Sequence, residues 1–290
     1  MTLSIVSQHL DSELGRWSHT EWRPGREHPL RWAVERVWDF DGMASAPRER
    51  VFPNGMSELI VQLDDRYLDV LGAGTTVTPA TCVTGIYSRA LVVEAPRRRC
   101  RVIGVRFHPS GAWALLGHPL SELAGLTADL EDLLGRAAPE LAERCHDADS
   151  GSERVRRVAA WLERRLLCAT ATRSVNAAAS WVASCIARSG GTAVIGTLRA
   201  KASLTGARLS SVFLQQVGVT PKRYARIVRF DRALAMLSRP GALLSRVALD
   251  AGYYDQPHMN AEFREMAGLT PRQFLTARRF PNSLSLPEPV

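Results

Sequence analysis

The 290-residue chain reads as an α+β protein. An N-terminal antiparallel β-rich domain with helices after it precedes an all-α domain of two helix-turn-helix units joined by a long helix. Three observations predict this. Short β-branched runs separated by turn residues fill the first hundred positions. Residues 194–230 recur, blurred, as 244–280 at a fixed offset. Charge is segregated: residues 174–290 hold 15 Lys+Arg against 6 Asp+Glu, a net of +9, whereas residues 1–173 hold 22 against 23, a net of −1.

Strands are predicted over 31–40, 58–63, 66–71, 82–87, 90–95 and 101–107, each short and often alternating. Pro53-Asn54-Gly55, Gly72-Ala73-Gly74 and Ala95-Pro96 punctuate them, so an antiparallel sheet or small barrel is expected. From Pro109 onward the apolar spacing turns helical, through residues 111–123, 130–145 and 152–167. The Asp-, Ser- and Gly-containing stretch 146–152 reads as a linker and 169–174 as a second joint. The expected organisation is therefore 1–146, a linker and connecting helix at 147–177, a helical domain at 178–280 and a tail at 281–290.

The second repeat carries the clearer punctuation. Leu243, Leu244, Val247, Ala248 and Ala251 lie at helical spacings, and Gly252 follows where a left-handed backbone is wanted. Asp255 supplies an acceptor for the N–H groups of a new helix, with Pro257 in its first turn. Met259, Phe263 and Met266 share one face of that helix. Gln256, His258, Asn260 and Ala261 share the other. Gly268 stops it, and Thr270-Pro271 opens the next helix.

The first repeat follows the same plan. Thr205 caps a helix that buries Leu209, Val212, Phe213 and Val217 and turns Ala207, Arg208, Ser210 and Ser211 outward. Gly218 ends it. Thr220-Pro221 starts a long helix to about residue 238, closed by Arg239-Pro240-Gly241. At about 1.5 Å per residue that helix spans about 27 Å, a rod suited to holding two recognition helices near the ~34 Å repeat of successive major grooves.

A short helix, a tight turn and a second exposed helix form the motif that places its second helix against DNA. The units are expected at 194–217 and 244–267. Lys201, Arg208 and Arg264 are the candidate phosphate contacts, and Ser210, Ser211, Gln256, His258 and Asn260 the candidate readers of base edges. Thr205, Ala207 and Ala261 complete the candidate surface. The basic segment agrees, because a one-sided positive face neutralises phosphates.

Residues 178–280 resemble the DNA-binding domain of the AraC/XylS family of bacterial transcription regulators. The resemblance is carried by Ala248 and Gly252, by Asp255-Gln256, and by Phe263, Gly268-Leu269-Thr270-Pro271 and Phe274. It covers about a third of the chain. Arg199 stands where the family has a small Ala between the helices, Ala202 replaces the turn Gly, and Ser211 and Ala261 stand where relatives often carry Arg. Residues 51–63 and 104–123 resemble the domain often found ahead of this module. That resemblance implies a sensor or dimerisation role there, with a small-molecule effector, a homodimer and RNA polymerase as expected partners beside double-stranded DNA.

Other chemistries find little support. Cys82, Cys100, Cys145, Cys168 and Cys185 are odd in number and show no CxxC pair, so they read as reduced thiols in a cytoplasmic protein. His108 and His118 lack partners at metal-ligand spacing, so no metal and no cofactor are expected. Ser88 and Ser110 lack a nucleophile-elbow setting. Residues 1–17 have no basic start before an apolar run, and no 18-residue apolar run exists, so neither a signal peptide nor a membrane span is expected. The four tryptophans Trp17, Trp22, Trp32 and Trp38 suit core packing, or the lining of an effector pocket. The chain is expected not to be an enzyme. The alternatives are a DNA-repair or other enzyme carrying a DNA-binding module, which needs an activated thiol, and a ligand-independent assembly factor at promoters.

Overall fold

The computed structural model describes residues 3–12, 15–44, 46–71, 74–170, 175–277, 279–280 and 283–286. Strands β1 (Ile5–Ser12), β2 (Gly15–Trp22), β3 (Val34–Gly42), β4 (Arg48–Val51) and β5 (Glu58–Gln62) come first. They are followed by β6 (Leu68–Leu71), β7 (Gly74–Val77), β8 (Thr81–Thr84), β9 (Leu91–Glu94) and β10 (Cys100–Phe107). Helix α1 (Gly111–Leu116), a 3-10 turn at Leu120–Glu122, β11 (Thr127–Asp129), α2 (Leu130–Leu134), α3 (Ala137–His146) and α4 (Gly151–Thr170) complete the first region.

The strands form two antiparallel sheets, one ordered β1-β2-β3-β10-β5-β8-β11 and one containing β4-β9-β6-β7. The fold class is α+β, as the alternation of short apolar strands implies. The strand expected from residue 31 begins at Val34, because residues 29–33 turn and only then pair with β10. Strands β1, β2, β4, β7 and β11 went unread. Of the Gly-rich turn, residues 72 and 73 lie outside the described residues, as do residues 171–174 of the second expected joint.

Helix α4 is bound into the first sheet rather than set apart from it. Val155, Val158, Trp161 and Leu162 enter the same core as Val37, Ile103 and Val105. Arg154 donates to both oxygens of Asp39 on β3, at 2.6 and 3.0 Å, with both side chains almost fully buried. Two parallel charge-assisted hydrogen bonds fix geometry as well as energy. Gly151 is required beneath this pair, since a Cβ there would lie 2.4 Å from Asp39 Oδ1. The four tryptophans do not share one pocket: Trp22 is buried in the first core, Trp32 is 43% exposed, and Trp38 covers Gly104 so closely that a Cβ there would strike its ring.

The second region holds α5 (Ala177–Arg188), α6 (Ile195–Lys201), α7 (Gly206–Val217), α8 (Pro221–Leu237), α9 (Leu244–Ala251), α10 (Gln256–Ala267) and α11 (Pro271–Thr276). Its core gathers Phe213, Tyr224, Phe230, Met259, Phe263 and Phe274. Two backbone strands follow, β12 (Arg279–Phe280) and β13 (Ser283–Leu286), and β13 pairs antiparallel with β4 of the second sheet. The remaining tail residues 281, 282 and 287–290 lie outside the described residues.

The two regions are joined by packing. Phe52, next to β4, sits with its ring 6.3 Å from Phe230 and 5.8 Å from Phe274. Gly55 (φ +74°) lies against Tyr224 and Ile227. Ser180 on α5 donates to the buried Ser110 hydroxyl at 3.0 Å. No helix of the described residues is long and apolar enough to cross a membrane.

Candidate nucleic-acid interface

Helices α6 and α7 form the first unit and α9 and α10 the second, each pair with α8 between them in the chain. In both units the second helix is capped by the residue expected. Thr205 Oγ1 accepts from Arg208 N at 3.2 Å, and Asp255 Oδ1 accepts from His258 N at 2.7 Å. Gly218 (φ +97°) and Gly268 (φ +69°) close α7 and α10 in the left-handed region. Thr270 and Gln273 complete a reciprocal capping box at the start of α11.

The turns inside the units differ. Gly252 has φ +91°, and a Cβ on it would lie 2.3 Å from Thr192 Cγ2. Ala202, at the matching position, is right-handed at φ −80°, and Ser203 takes the positive φ (+53°) instead. One position is corrected: Arg199 is exposed, and Leu198 is the residue that packs where Ala248 packs in the second unit. The fifty-residue offset already aligned Leu198 with Ala248. Leu243 is also corrected, since it caps α9 at 69% exposure while Val247, Ala248 and Ala251 are buried.

Of the candidate contact residues, Lys201, Thr205, Ala207, Arg208 and Ser211 are exposed on the first unit, and Ser210 is half-buried. On the second unit His258, Ala261 and Arg264 are exposed, whereas Gln256 and Asn260 are half-buried. Ala207 and Ser211 lie one helical turn apart and continue to exposed Gln215, a residue the sequence reading passed over. Four-residue stepping from Ser211 was the signal. His258 lies toward the flank of α10, its ring edge-on to Tyr253 at 5.4 Å and its Nε2 4.0 Å from Glu262.

The orientation of α10 is set by charge. Arg226 on α8 reaches Glu262 and Glu265, each at 2.6 Å, while Arg223 reaches Glu265 at 3.0 Å and Arg229 reaches Glu262 at 3.1 Å. Hydrogen bonding from Arg226 holds the Glu265 carboxyl below the usual carboxylate range. These arginines are therefore committed to positioning the helix. Arg264, Lys201 and Arg208 remain exposed, as do Arg199, Lys222, Arg239 and Arg272.

The buried thiols are the reverse of activated nucleophiles. Burial pushes Cys82 and Cys145 up to about 12 and raises Cys100 as well. Among the described residues no group of His, Cys, Asp and Glu has the arrangement of a metal site.

Residues 198–277 match the family model described as a helix-turn-helix domain. This region is an AraC-type helix-turn-helix domain. Residues 26–129 match a second model, described as a domain of unknown function (DUF6597). The HTH-type transcriptional regulator ArgR of Pseudomonas aeruginosa is 29% identical over 72 residues, 25% of this chain and 22% of its own length. The chain thus spans under a quarter of the curated relative it matches. Among solved structures, ToxT of Vibrio cholerae aligns with a TM-score of 0.44 at 11% identity, over 79% of this chain and 96% of that one. The AraC-like transcriptional activator CuxR aligns with a TM-score of 0.30 at 14% identity, over 77% and 83%. In the AraC-type domain, α7 and α10 are the second helices of the two units.

Proposed function

We propose that the chain is a sequence-specific DNA-binding transcription regulator whose N-terminal region senses a small molecule or a partner. The observation that carries the DNA reading is the pair of equivalently capped helices, α7 and α10, with small or polar residues outward and a net +9 charge in their segment. Lys201, Arg208 and Arg264 bind phosphates and set register. Ser210, Ser211, Gln256, His258 and Asn260 read base edges, Gln215 extends that face, and Ala207 and Ala261 allow close approach. Thr205 acts through its cap, which presents α7 N–H groups to a phosphate.

In this reading the functional division falls between an N-terminal unit that includes α4, packed into the first sheet's core, and 178–280, the chain acting in the cytoplasm with RNA polymerase and a second copy of itself as partners. A ligand alters promoter occupancy only by binding two states of the protein unequally. Selection of bound sites from random duplex DNA tests the proposal. Enrichment of a two-part site supports it, and recovery of no preferred sequence at moderate salt refutes it.

A further inference from the structure

The junction between the sheets and α10 contains a cleft of about 410 Å³ whose lining includes Arg50, Arg89, Arg264 and Glu265. Two of the arginines come from the N-terminal region and one from the recognition helix. Glu265 does not balance them, because Arg223 and Arg226 already engage both of its oxygens. Neither Arg89 nor Arg264 has a carboxylate partner among the described residues.

The carbonyl end of α10 accounts for one of these cations. Arg50 Nη1 donates to Ala267 O at 2.5 Å, and Ala90 N donates to Met266 O at 2.6 Å, so the helix end is satisfied by the strand region beside it. That leaves Arg50 Nε, which is buried and has no hydrogen-bond partner among the described residues. A buried donor without an acceptor is destabilising, because it has given up its water and gained nothing in exchange. The helix end offers nothing to exposed Arg89 either.

We infer that this cleft binds a phosphate group, held by Arg50, Arg89 and Arg264 across the junction of the two regions. Guanidinium forks match phosphate oxygens, and an anion carrying one charge as a diester, or up to two as a free phosphate or monoester, offsets the repulsion among the three cations. Two sources share this chemistry: a backbone phosphate of DNA lying along α10, and a free phosphate or phosphate ester. Either would tie the sheet region to the recognition helix, so occupancy would be felt in DNA binding. The DNA source rests on the function proposed above.

The test uses the full chain, its Arg89→Gln variant and two readouts. The first is the dependence of DNA affinity on salt, and the second is the ³¹P linewidth of inorganic phosphate. Arg89 is exposed, so the variant should melt in chloride buffer as the parent does. For a DNA phosphate, Arg89→Gln lowers the log–log salt slope by about one. For a free phosphate, the parent broadens the ³¹P signal and the variant does not. An unchanged slope together with equal linewidths for parent and variant overturns the inference. Absence of DNA binding by the parent counts against the proposed function alone, and the phosphate readout then decides the cleft.

Discussion

The ring of Phe52, next to β4, lies 5.8 Å from that of Phe274 in α11, so a side chain of the sheet region completes the aromatic core of the helical one. Phe230 and Phe263 continue that cluster to the second recognition helix, their rings 5.1 Å apart. Packed rings transmit displacement because cores have few voids to absorb it. The sheet region thus bears directly on the placement of α10.

Phe52→Ala is expected to cost about 3–5 kcal/mol through the cavity it opens. Urea denaturation of the full chain measures this. A midpoint unchanged from the parent would mean that Phe52 is not held in the shared core.

Asn260 and Phe263 separate recognition from stability. Asn260→Ala is expected to cost roughly 1–3 kcal/mol of discrimination at one base pair. Its effect on stability is small, because Asn260 Oδ1 is buried with no hydrogen-bond partner among the described residues and its removal leaves nothing unpaired. Phe263→Ala opens a cavity among Phe230, Phe274 and their neighbours, costing about 3–5 kcal/mol. Melting curves beside binding to a selected site and its single-base variants distinguish the two, and a parental melt for Phe263→Ala would refute its core role.

The two turns respond differently to a β-branched residue. Gly252→Val places a branched Cβ at φ +91° and against Thr192, so a loss of at least about 1–3 kcal/mol is expected. Ala202→Val keeps a right-handed backbone and is expected to cost less than about 1 kcal/mol. Equal shifts in melting temperature would remove the asymmetry between the units.

Asp231 on α8 provides a pH test. Burial raises its carboxyl to about 6, with Arg106 of the sheet region opposing that rise. The folded state then binds the proton more tightly than the unfolded chain. The associated stability is present at the acid end and is lost as pH rises from about 4 through about 6. Asp231→Asn is expected to raise stability at pH 7, by at most about 3 kcal/mol, and to flatten the pH dependence in that window. A steeper loss in the variant would contradict the sign.

The second unit was legible because each of its boundaries is chemically marked: Gly252 for a left-handed turn, Asp255 for a cap, Gly268 for a stop, Thr270 for a new start. The first unit has Ala202 and Ser203 where a Gly would have signalled the turn, and its packing residue was placed at Arg199 instead of Leu198. Strands β1, at the sheet edge, and β2, beside it, were missed because Ile5–Ser12 and Gly15–Trp22 are mostly polar, which weakens the two-residue period. The docking of Phe52 and Arg50 onto α8, α10 and α11 has no periodicity at all. Contacts of that range depend on tertiary placement, and local spacing carries no trace of them.

Hydroxyl-radical footprinting of the full chain on a selected site tests the central claim, that α7 and α10 both enter DNA as one reader. The account predicts two protected segments on one face, about one helical turn apart, with Ser211→Ala weakening the pattern in one and Asn260→Ala in the other. A single protected segment, insensitive to changes in one of the two helices, would contradict it.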